Sequence, residues 1–210
     1  MSETFFNRYS RYVKYFAQWL FCEKIRGLDF SMRDTSLLEL TKGELHGYSK
    51  TDESHAREIF KRINVNKEKR LLDVGCGKGA FLREACREPF GKIAGLEYVT
   101  SLAETARKNF RKLGLMDRVQ IFQGDAASFD HYLDYNVFYF FNPFGEGIMS
   151  EVLARITDNR KECAWIILHN PVFSNVVENY GCKEIGRLYD KVKSYETRIY
   201  LWNNHSDKSL

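Results

Sequence analysis

Residues 71–82 read LLDVGCGKGAFL, and this stretch decides the fold. The apolar residues before Gly75 predict a buried strand, and the glycines predict a turn into a helix that begins near Ala80. Glycines at alternate positions let backbone N–H groups approach a ligand closely, because they carry no side chain. The N-terminus of the following helix adds partial positive charge. The stretch therefore predicts a ligand that carries a carboxylate or a phosphate.

The glycine loop is compatible with two cofactors. Its spacing, Gly75-x-Gly77-x-x-Ala80, fits the G-x-G-x-x-G/A fingerprint of dinucleotide-binding proteins. Asp73 favours a different ligand, because a carboxylate directly before the loop repels a pyrophosphate but attracts the sulfonium and ammonium groups of S-adenosylmethionine. With this acid, the loop resembles the first motif of class I (seven-strand, Rossmann-like) S-adenosylmethionine-dependent methyltransferases. The resemblance implies that Asp73, Gly75 and Gly77 bind S-adenosylmethionine as the cofactor.

Strand and helix patterns alternate through the rest of the chain. The predicted strands cover residues 71–74, 92–96, 118–122, 136–141, 164–168, 183–188 and 197–202. This alternation predicts an α/β fold with a doubly wound, mostly parallel seven-stranded sheet. A helix with a serine cap is expected over Ser101–Leu113. No clear helix separates the last two strands, so we expect a hairpin, which would match the antiparallel last strand of the class I methyltransferase sheet.

The 210 residues predict one cofactor-binding domain over residues 46–204, with an N-terminal helical extension over residues 1–45 and a tail over residues 205–210. The extension has an apolar helical face formed by Phe5, Phe6, Tyr9, Tyr12, Val13, Phe16, Ala17 and Leu20. This face either packs on the core and covers the active site or contacts a partner or a membrane surface. The first interpretation is favoured, since amphipathic helices usually bury their apolar face.

Composition limits the class of protein without naming a substrate. The net charge of +4 neither requires nor excludes a nucleic-acid partner. The five cysteines are widely spread and form no C-x-x-C pair, which argues against a disulfide framework or a zinc site and favours a reducing compartment. No apolar run approaches the length of a membrane span. We therefore expect a cytoplasmic protein with no integral membrane association, whose methyl acceptor is a small molecule, a protein or an RNA.

Acidic residues follow the second and third predicted strands. Ligands of open α/β sheets bind at the carboxyl ends of the strands, so both acids face the expected cofactor. Glu97 lies about twenty residues after the glycine loop, where an acid accepts hydrogen bonds from ribose hydroxyls. The resemblance implies that Asp125, with Ala126 beside it, binds the adenine amine. The alternatives are a surface glutamate at Glu97 and an ordinary Gly-Asp turn at Asp125.

A further cofactor contact is expected before the first helix of the domain. The segment from Tyr48 to Thr51 resembles the Tyr-x-x-Thr loop that lies over the cofactor in some methyltransferases of this fold, including the seven-strand histone-lysine type. The resemblance implies that Tyr48 covers the methionyl end and that Thr51 offers its hydroxyl. The alternative is that Thr51 or Asp52 simply caps the helix predicted over residues 53–62.

The fourth predicted strand ends in Asn142-Pro143-Phe144. Amino-methyltransferases of this fold carry Asp/Asn-Pro-Pro-Tyr/Phe at this place, where two carbonyl groups orient an amine and the aromatic ring stacks on a planar acceptor. One proline is missing here, which puts DNA base methylation in doubt but leaves N-methylation open. The alternative is a turn in which Asn142 bonds locally and Phe144 packs inward.

His169 follows the fifth strand and is the candidate general base, because its ordinary pKa lies near neutrality. A buried structural histidine is the alternative. No cluster of side chains has metal-ligand spacing, so no metal site is predicted. The sequence thus predicts direct methyl displacement from S-adenosylmethionine to nitrogen, with oxygen less favoured. An aminopropyltransferase-like enzyme and a catalytically silent S-adenosylmethionine-binding module are the competing hypotheses.

Overall fold

The computed structural model describes residues 23–31, 50–192 and 194–203. The strands are β1 Arg70–Val74, β2 Lys92–Glu97, β3 Gln120–Gln123, β4 Val137–Phe140, β5 Ala164–His169, β6 Lys183–Asp190 and β7 Tyr195–Trp202. The α-helices in this part of the chain are α1 Glu53–Arg62, α2 Ala80–Ala85, α3 Thr100–Leu113, α4 Glu146–Thr157 and α5 Ser174–Asn179. Two short 3-10 turns cover Ala126–Ser128 and Tyr132–Asp134.

The strands form one seven-stranded sheet in the order β3-β2-β1-β4-β5-β7-β6. The first five strands are parallel to one another. Strand β7 is antiparallel to both of its neighbours, β5 and β6, and forms a hairpin with β6. The predicted doubly wound, mostly parallel sheet with a terminal hairpin is therefore confirmed. The strand order reverses between β1 and β4, which makes the carboxyl ends of these strands the expected ligand crevice.

The sheet is covered on both faces, and β4 shows why. All four of its residues are buried, as expected for a central strand with an unbroken apolar sequence. Phe138 and Phe140 point towards the face covered by α4 and α5. Val137 and Tyr139 point towards the face covered by α1, α2 and α3. The alternating directions of neighbouring side chains divide the core into two layers.

Two helix starts test the predicted caps. Asp52 caps α1, because its side chain accepts a hydrogen bond from the backbone N–H of Ser54 at 2.9 Å. The serine cap predicted at Ser101 is wrong, since α3 begins at Thr100 and its N-cap residue is Val99. The Glu97 carboxylate accepts a hydrogen bond from the Val99 N–H at 2.8 Å, so the chain turns into α3 directly after β2.

Residues 23–31 of the expected N-terminal extension pack against the glycine loop. The Asn109 side chain on α3 exchanges two hydrogen bonds with the backbone of Asp29, at 2.9 and 2.8 Å. Asp29 also lies 2.8 Å from the ammonium group of the buried Lys78. The aromatic helical face predicted between residues 5 and 20 lies outside the described residues. Within the described part of the chain, no helix has the length and apolar character needed to cross a membrane.

Candidate functional site

The glycine loop crosses the carboxyl end of the sheet between β1 and α2. Gly75, Gly77 and Gly79 have φ angles of +80°, +54° and +84°, in the left-handed region that favours glycine. The N–H groups of Gly75 and Cys76 donate to the Leu96 carbonyl at 2.8 and 3.0 Å, which ties the loop to the end of β2. Backbone hydrogen bonds thus hold the loop, and side chains crowd two of its glycines. A Cβ added to Gly75 would lie 2.6 Å from Pro143, and one added to Gly79 would lie 2.6 Å from the ring of Phe110.

Glu97 at the end of β2 fixes the middle of the loop. One oxygen of its carboxylate accepts a hydrogen bond from the Gly77 N–H at 2.7 Å, and the other accepts from the Val99 N–H at 2.8 Å. Only 6% of Glu97 is exposed, and burial raises its pKa despite these bonds. Both carboxylate oxygens thus bind backbone N–H groups, and a contact of Glu97 with ribose hydroxyls stays a prediction.

Asp73 is the second acid at this edge, and only 3% of it is exposed. Burial, and after it the negative charge of Glu97, raises the pKa of Asp73 well above its ordinary value. Two carboxyl groups in one buried place are unfavourable unless a positive charge joins them. The sulfonium and ammonium groups of S-adenosylmethionine supply that charge, so these residues fit the predicted cofactor.

Asp125 and Ala126 lie next to this edge after β3. The Asp125 side chain accepts a hydrogen bond from the Ala127 N–H at 3.0 Å and caps the short turn Ala126–Ser128. The adjacent Gly124 N–H donates to the Glu97 carbonyl at 3.0 Å, which brings the turn beside Glu97. A contact of Asp125 and Ala126 with adenine stays a prediction.

Tyr48 and Thr51 are the two residues predicted to lie over the cofactor. Tyr48 lies outside the described residues. Thr51 is 5% exposed, and its hydroxyl forms a 2.6 Å hydrogen bond with the hydroxyl of Tyr139 in β4. The Thr51 hydroxyl is thus engaged with the sheet, and its direct contact with the cofactor stays a prediction.

The predicted acceptor residues follow β4. Asn142 is partly exposed and has a φ of +42°, a left-handed conformation that asparagine tolerates better than most residues. Pro143 packs on Gly75, since a Cβ added to Gly75 would lie 2.6 Å from the Pro143 Cβ. Phe144 is only 5% exposed, and its ring meets that of Phe140 edge-on at 6.2 Å. Because Phe144 sits in the core, its predicted stacking on an acceptor would require the ring to turn outward.

His169, the predicted reserve base, is fully buried at the end of β5. Its Nδ1 lies 2.8 Å from the Thr197 hydroxyl, and its Nε2 lies 3.7 Å from a carboxylate oxygen of Asp190. The Thr197 hydroxyl also bonds to Nε2 of His55 at 2.6 Å. Both ring nitrogens of His169 therefore face protein groups, and a role as general base stays a prediction that needs access from the acceptor.

Comparison with protein families identifies the fold and the loop together. A family model described as a methyltransferase domain matches residues 65–182, which is more than half of the chain. The matched range contains the glycine loop and the acids at the ends of β1, β2 and β3. The chain belongs to this methyltransferase family. It is a class I S-adenosylmethionine-dependent methyltransferase, as the loop and the strand order also indicate.

Two curated relatives match part of this methyltransferase. The chain is 33% identical over 89 residues to a sterol 24-C-methyltransferase of Clavispora lusitaniae, a match that covers 42% of this chain and 23% of the relative. It is 33% identical over 76 residues to a sterol 24-C-methyltransferase of Debaryomyces hansenii, a match that covers 36% of this chain and 20% of the relative. The matched part of this methyltransferase spans less than a quarter of either relative.

Solved structures share the fold of this methyltransferase at low identity. An RNA methyltransferase from Salinibacter ruber in complex with S-adenosyl-L-homocysteine is 17% identical, with a TM-score of 0.59 over 77% of this chain and 99% of that chain. A precorrin-6y C5,15-methyltransferase from Geobacter metallireducens is 13% identical, with a TM-score of 0.59 over 78% of this chain and 95% of that chain. At these identities the likeness concerns the fold.

Three aromatic residues of this methyltransferase were missed by sequence reasoning. Phe141 follows β4, and its ring lies 4.3 Å from that of His169 and 5.7 Å from that of Tyr195. Phe141 and Tyr195 are partly exposed at the functional edge. Tyr139 lies beside Asp73 in the register of β1 and β4. Their positions at the carboxyl ends of buried strands were the available signal, but aromatic residues are equally common in a core.

The buried His55 predicts how the stability of the methyltransferase depends on pH. Burial lowers the pKa of His55 below its ordinary value of 6.5, against smaller opposite effects of Asp190, Glu58 and Asp52. The His55 imidazole therefore takes up a proton more readily in the unfolded chain than in the folded one. The free energy of unfolding should accordingly fall as the pH drops below about 6.5. Chemical denaturation between about pH 5 and 7.5 measures this slope, and His55→Gln should flatten it.

The matched control is the same substitution at His131, whose side chain is 60% exposed. His131→Gln should leave the slope of the wild-type protein unchanged, since most of this side chain already lies in solvent in the folded protein. Equal slopes for the wild-type protein and His55→Gln would contradict the prediction.

Proposed function

We propose that this methyltransferase transfers a methyl group to a nitrogen atom of its acceptor. The observation that carries the proposal is the contact between Pro143 and Gly75, which places the Asn142-Pro143 segment directly against the cofactor loop. An acceptor bound to this segment would lie beside the methyl donor. Composition favours the cytoplasm as the place of reaction, because the cysteines show no pairing pattern.

The chemistry needs orientation more than acid or base strength. The side-chain carbonyl of Asn142 and the backbone carbonyl of Pro143 would accept hydrogen bonds from an N–H group, which aims the nitrogen lone pair at the methyl group. The nitrogen attacks in line, the carbon–sulfur bond breaks, and the neutral thioether leaves with the electron pair. The proton released from nitrogen passes to solvent or to a base, for which His169 is the candidate.

A carbon acceptor is the second candidate. The two curated relatives are sterol C-methyltransferases by name, although each match covers a minor part of them. The partly exposed rings of Phe141 and Tyr195 would suit an apolar acceptor better than a highly charged one. Oxygen remains an outcome of the same experiment, and the acceptor molecule can be small, a protein or an RNA.

A labelled-methyl transfer assay tests the proposal. The protein is incubated with S-adenosylmethionine labelled in the methyl group and with fractions of cell extract separated into small molecules, lipids, proteins and RNA. We expect label in a product whose hydrolysis yields a methylated amine. A label that is bonded to carbon in the lipid fraction supports the second candidate. A label in a base-labile methyl ester or in a base-stable methyl ether indicates oxygen.

Asn142 provides the sharpest variant for the nitrogen proposal. Asn142→Gly keeps the left-handed backbone but removes the side-chain carbonyl, so the rate of transfer at saturation should fall roughly a hundredfold. The dissociation constant of S-adenosylmethionine should stay within about twofold, because the cofactor loop is untouched. Single-turnover transfer and titration calorimetry measure the two quantities.

The control is Asn159→Gly. Asn159 has a similar φ of +55° but lies between α4 and β5, at the edge of the sheet where the parallel strands begin. This variant should transfer methyl groups at the wild-type rate. Full activity in Asn142→Gly would argue against amine orientation by this residue.

A further inference from the structure

A row of polar side chains crosses the sheet at its carboxyl end, beneath α1. In the register of the sheet, Asp73 pairs with Tyr139 and His169 pairs with Thr197. The other neighbours in the row are offset by two residues, which keeps them on the same face of the sheet. The row contains, from β2 to β6, Glu97, Asp73, Tyr139, His169, Thr197 and Asp190. All of these residues are less than a tenth exposed. Glu97 and Asp73 belong to the candidate cofactor site, and Tyr139 is the next residue in the row.

Tyr139 contacts three parts of the cofactor site at once. It lies beside Asp73 in the register of the two central strands. Its ring stacks on that of Phe81 in the first turn of α2, with centroids 3.6 Å apart and planes inclined by 10°. Its hydroxyl forms the 2.6 Å hydrogen bond with Thr51, which leads into α1. One side chain thus joins the acid, the helix after the glycine loop and the segment before α1.

The protonation state of Tyr139 is consistent with its hydrogen bond to Thr51. Burial raises the pKa of Tyr139 well above its ordinary value, and the nearby Asp73 and Asp190 add to the effect. The phenol therefore stays protonated and presents a neutral hydroxyl between two buried acids. A buried hydroxyl without its partner is costly, so the bond with Thr51 should hold both side chains in one arrangement.

We propose that Tyr139 is a positioning residue for the cofactor, acting through its hydrogen bond to Thr51 and its stacking on Phe81. The bond fixes the segment before α1, and the stacked ring fixes the first turn of α2, on two sides of Asp73. The cofactor then meets a site that is already assembled. Thr51 accordingly influences cofactor binding through Tyr139.

The test removes the same hydrogen bond from each side. Tyr139→Phe keeps the ring and its stacking, and Thr51→Val keeps the approximate volume of the side chain. Titration calorimetry should give dissociation constants for S-adenosylmethionine and S-adenosylhomocysteine that are roughly five- to tenfold weaker in each variant, in line with one lost hydrogen bond. The double variant should be little weaker than either single one, because both remove one interaction.

The control uses a second hydroxyl pair on the opposite face of the sheet. Ser150 in α4 and Tyr180 after α5 form a 3.0 Å hydroxyl–hydroxyl hydrogen bond. Ser150→Ala and Tyr180→Phe should lower the melting temperature by an amount similar to the Tyr139 and Thr51 variants but leave cofactor binding unchanged.

Two results would overturn the proposal. The first is a lower melting temperature in Tyr139→Phe and Thr51→Val with unchanged dissociation constants, which would make the bond purely structural. The second is a double variant in which the two losses of affinity multiply, since independent effects exclude action through a shared bond. If Tyr139→Phe fails to fold, Thr51→Val alone shows whether loss of the hydrogen bond weakens cofactor binding. Thr51 precedes α1 and lies outside the central strand β4, so its substitution removes the same bond without changing the strand.

Discussion

Replacing Asp73 by Asn should nearly abolish cofactor binding and, at neutral pH, stabilise the ligand-free protein. Asn has the same shape but no negative charge, so the sulfonium and ammonium groups lose their partner, and we expect affinity for S-adenosylmethionine to fall roughly a hundredfold. The same change removes the cost of burying the charged form of Asp73 and, after it, the repulsion by Glu97. Functional sites commonly keep such unfavourable charges because the ligand neutralises them.

The stabilisation has a defined pH dependence. The pKa of Asp73 is raised in the folded protein, so the folded chain holds this proton more tightly than the unfolded chain. The stability that this group contributes is complete below the unfolded pKa and is lost as pH rises through the folded pKa. Asn cannot ionise, so the melting temperature of Asp73→Asn should exceed that of the wild-type protein by an amount that grows as pH rises. Each kcal/mol corresponds to about 2–4 °C.

Asp134→Asn is the control, because the fold lowers the pKa of Asp134 whereas it raises that of Asp73. Asp134 lies at the other edge of the sheet, and its hydrogen bond with Lys92 is the largest cause of its lowered pKa. Asp134→Asn should leave cofactor affinity unchanged and should lower the melting temperature slightly, since an exposed ion pair is worth little. A melting temperature of Asp73→Asn below that of the wild-type protein at every pH would contradict the account of Asp73.

The sequence predicts the central sheet and the buried acids at its carboxyl end because both depend on local patterns. Apolar runs mark the strands, and the end of each strand marks the functional edge, which is how Asp73 and Glu97 are found without a structure. The predicted serine cap of α3 was wrong because the helix begins one residue earlier, at Thr100, and no side chain caps it. The Glu97 carboxylate binds the N–H of Val99, which turns the chain directly from β2 into the helix.

Contacts between distant residues could not be predicted in the same way. Thr51 and Tyr139 are 88 positions apart, and their hydrogen bond depends on how α1 lies on the sheet. Phe144 looks like a stacking residue in the sequence, but its ring packs edge-on against that of Phe140 in the core. His169 looks like a base, yet its surroundings come from β6, β7 and α1, which are remote in the sequence.

The glycine loop is sensitive to a single methyl group, and Gly75→Ala measures this. At Gly75 the φ angle is +80°, and an added Cβ would lie 2.6 Å from the Cβ of Pro143. The left-handed backbone costs an L-residue roughly 1–2 kcal/mol, and the steric contact adds about 1–3 kcal/mol unless the loop after β4 moves. Because that loop carries the residues proposed to bind the acceptor, we expect Gly75→Ala to weaken cofactor binding and to slow methyl transfer, each at least about tenfold.

Gly181→Ala separates the two causes. Gly181 has a nearly identical φ of +79°, but an added Cβ would have no neighbouring atom within 4 Å. In Gly181→Ala the free energy of unfolding should therefore fall only by the cost of placing alanine in the left-handed conformation. The variant should bind S-adenosylmethionine normally. Urea denaturation of both variants gives the difference in the free energy of unfolding, which isolates the contact with Pro143. If the two variants lose equal stability, the cofactor loop and the acceptor loop do not press on each other, and the contact that carries the proposed function is absent.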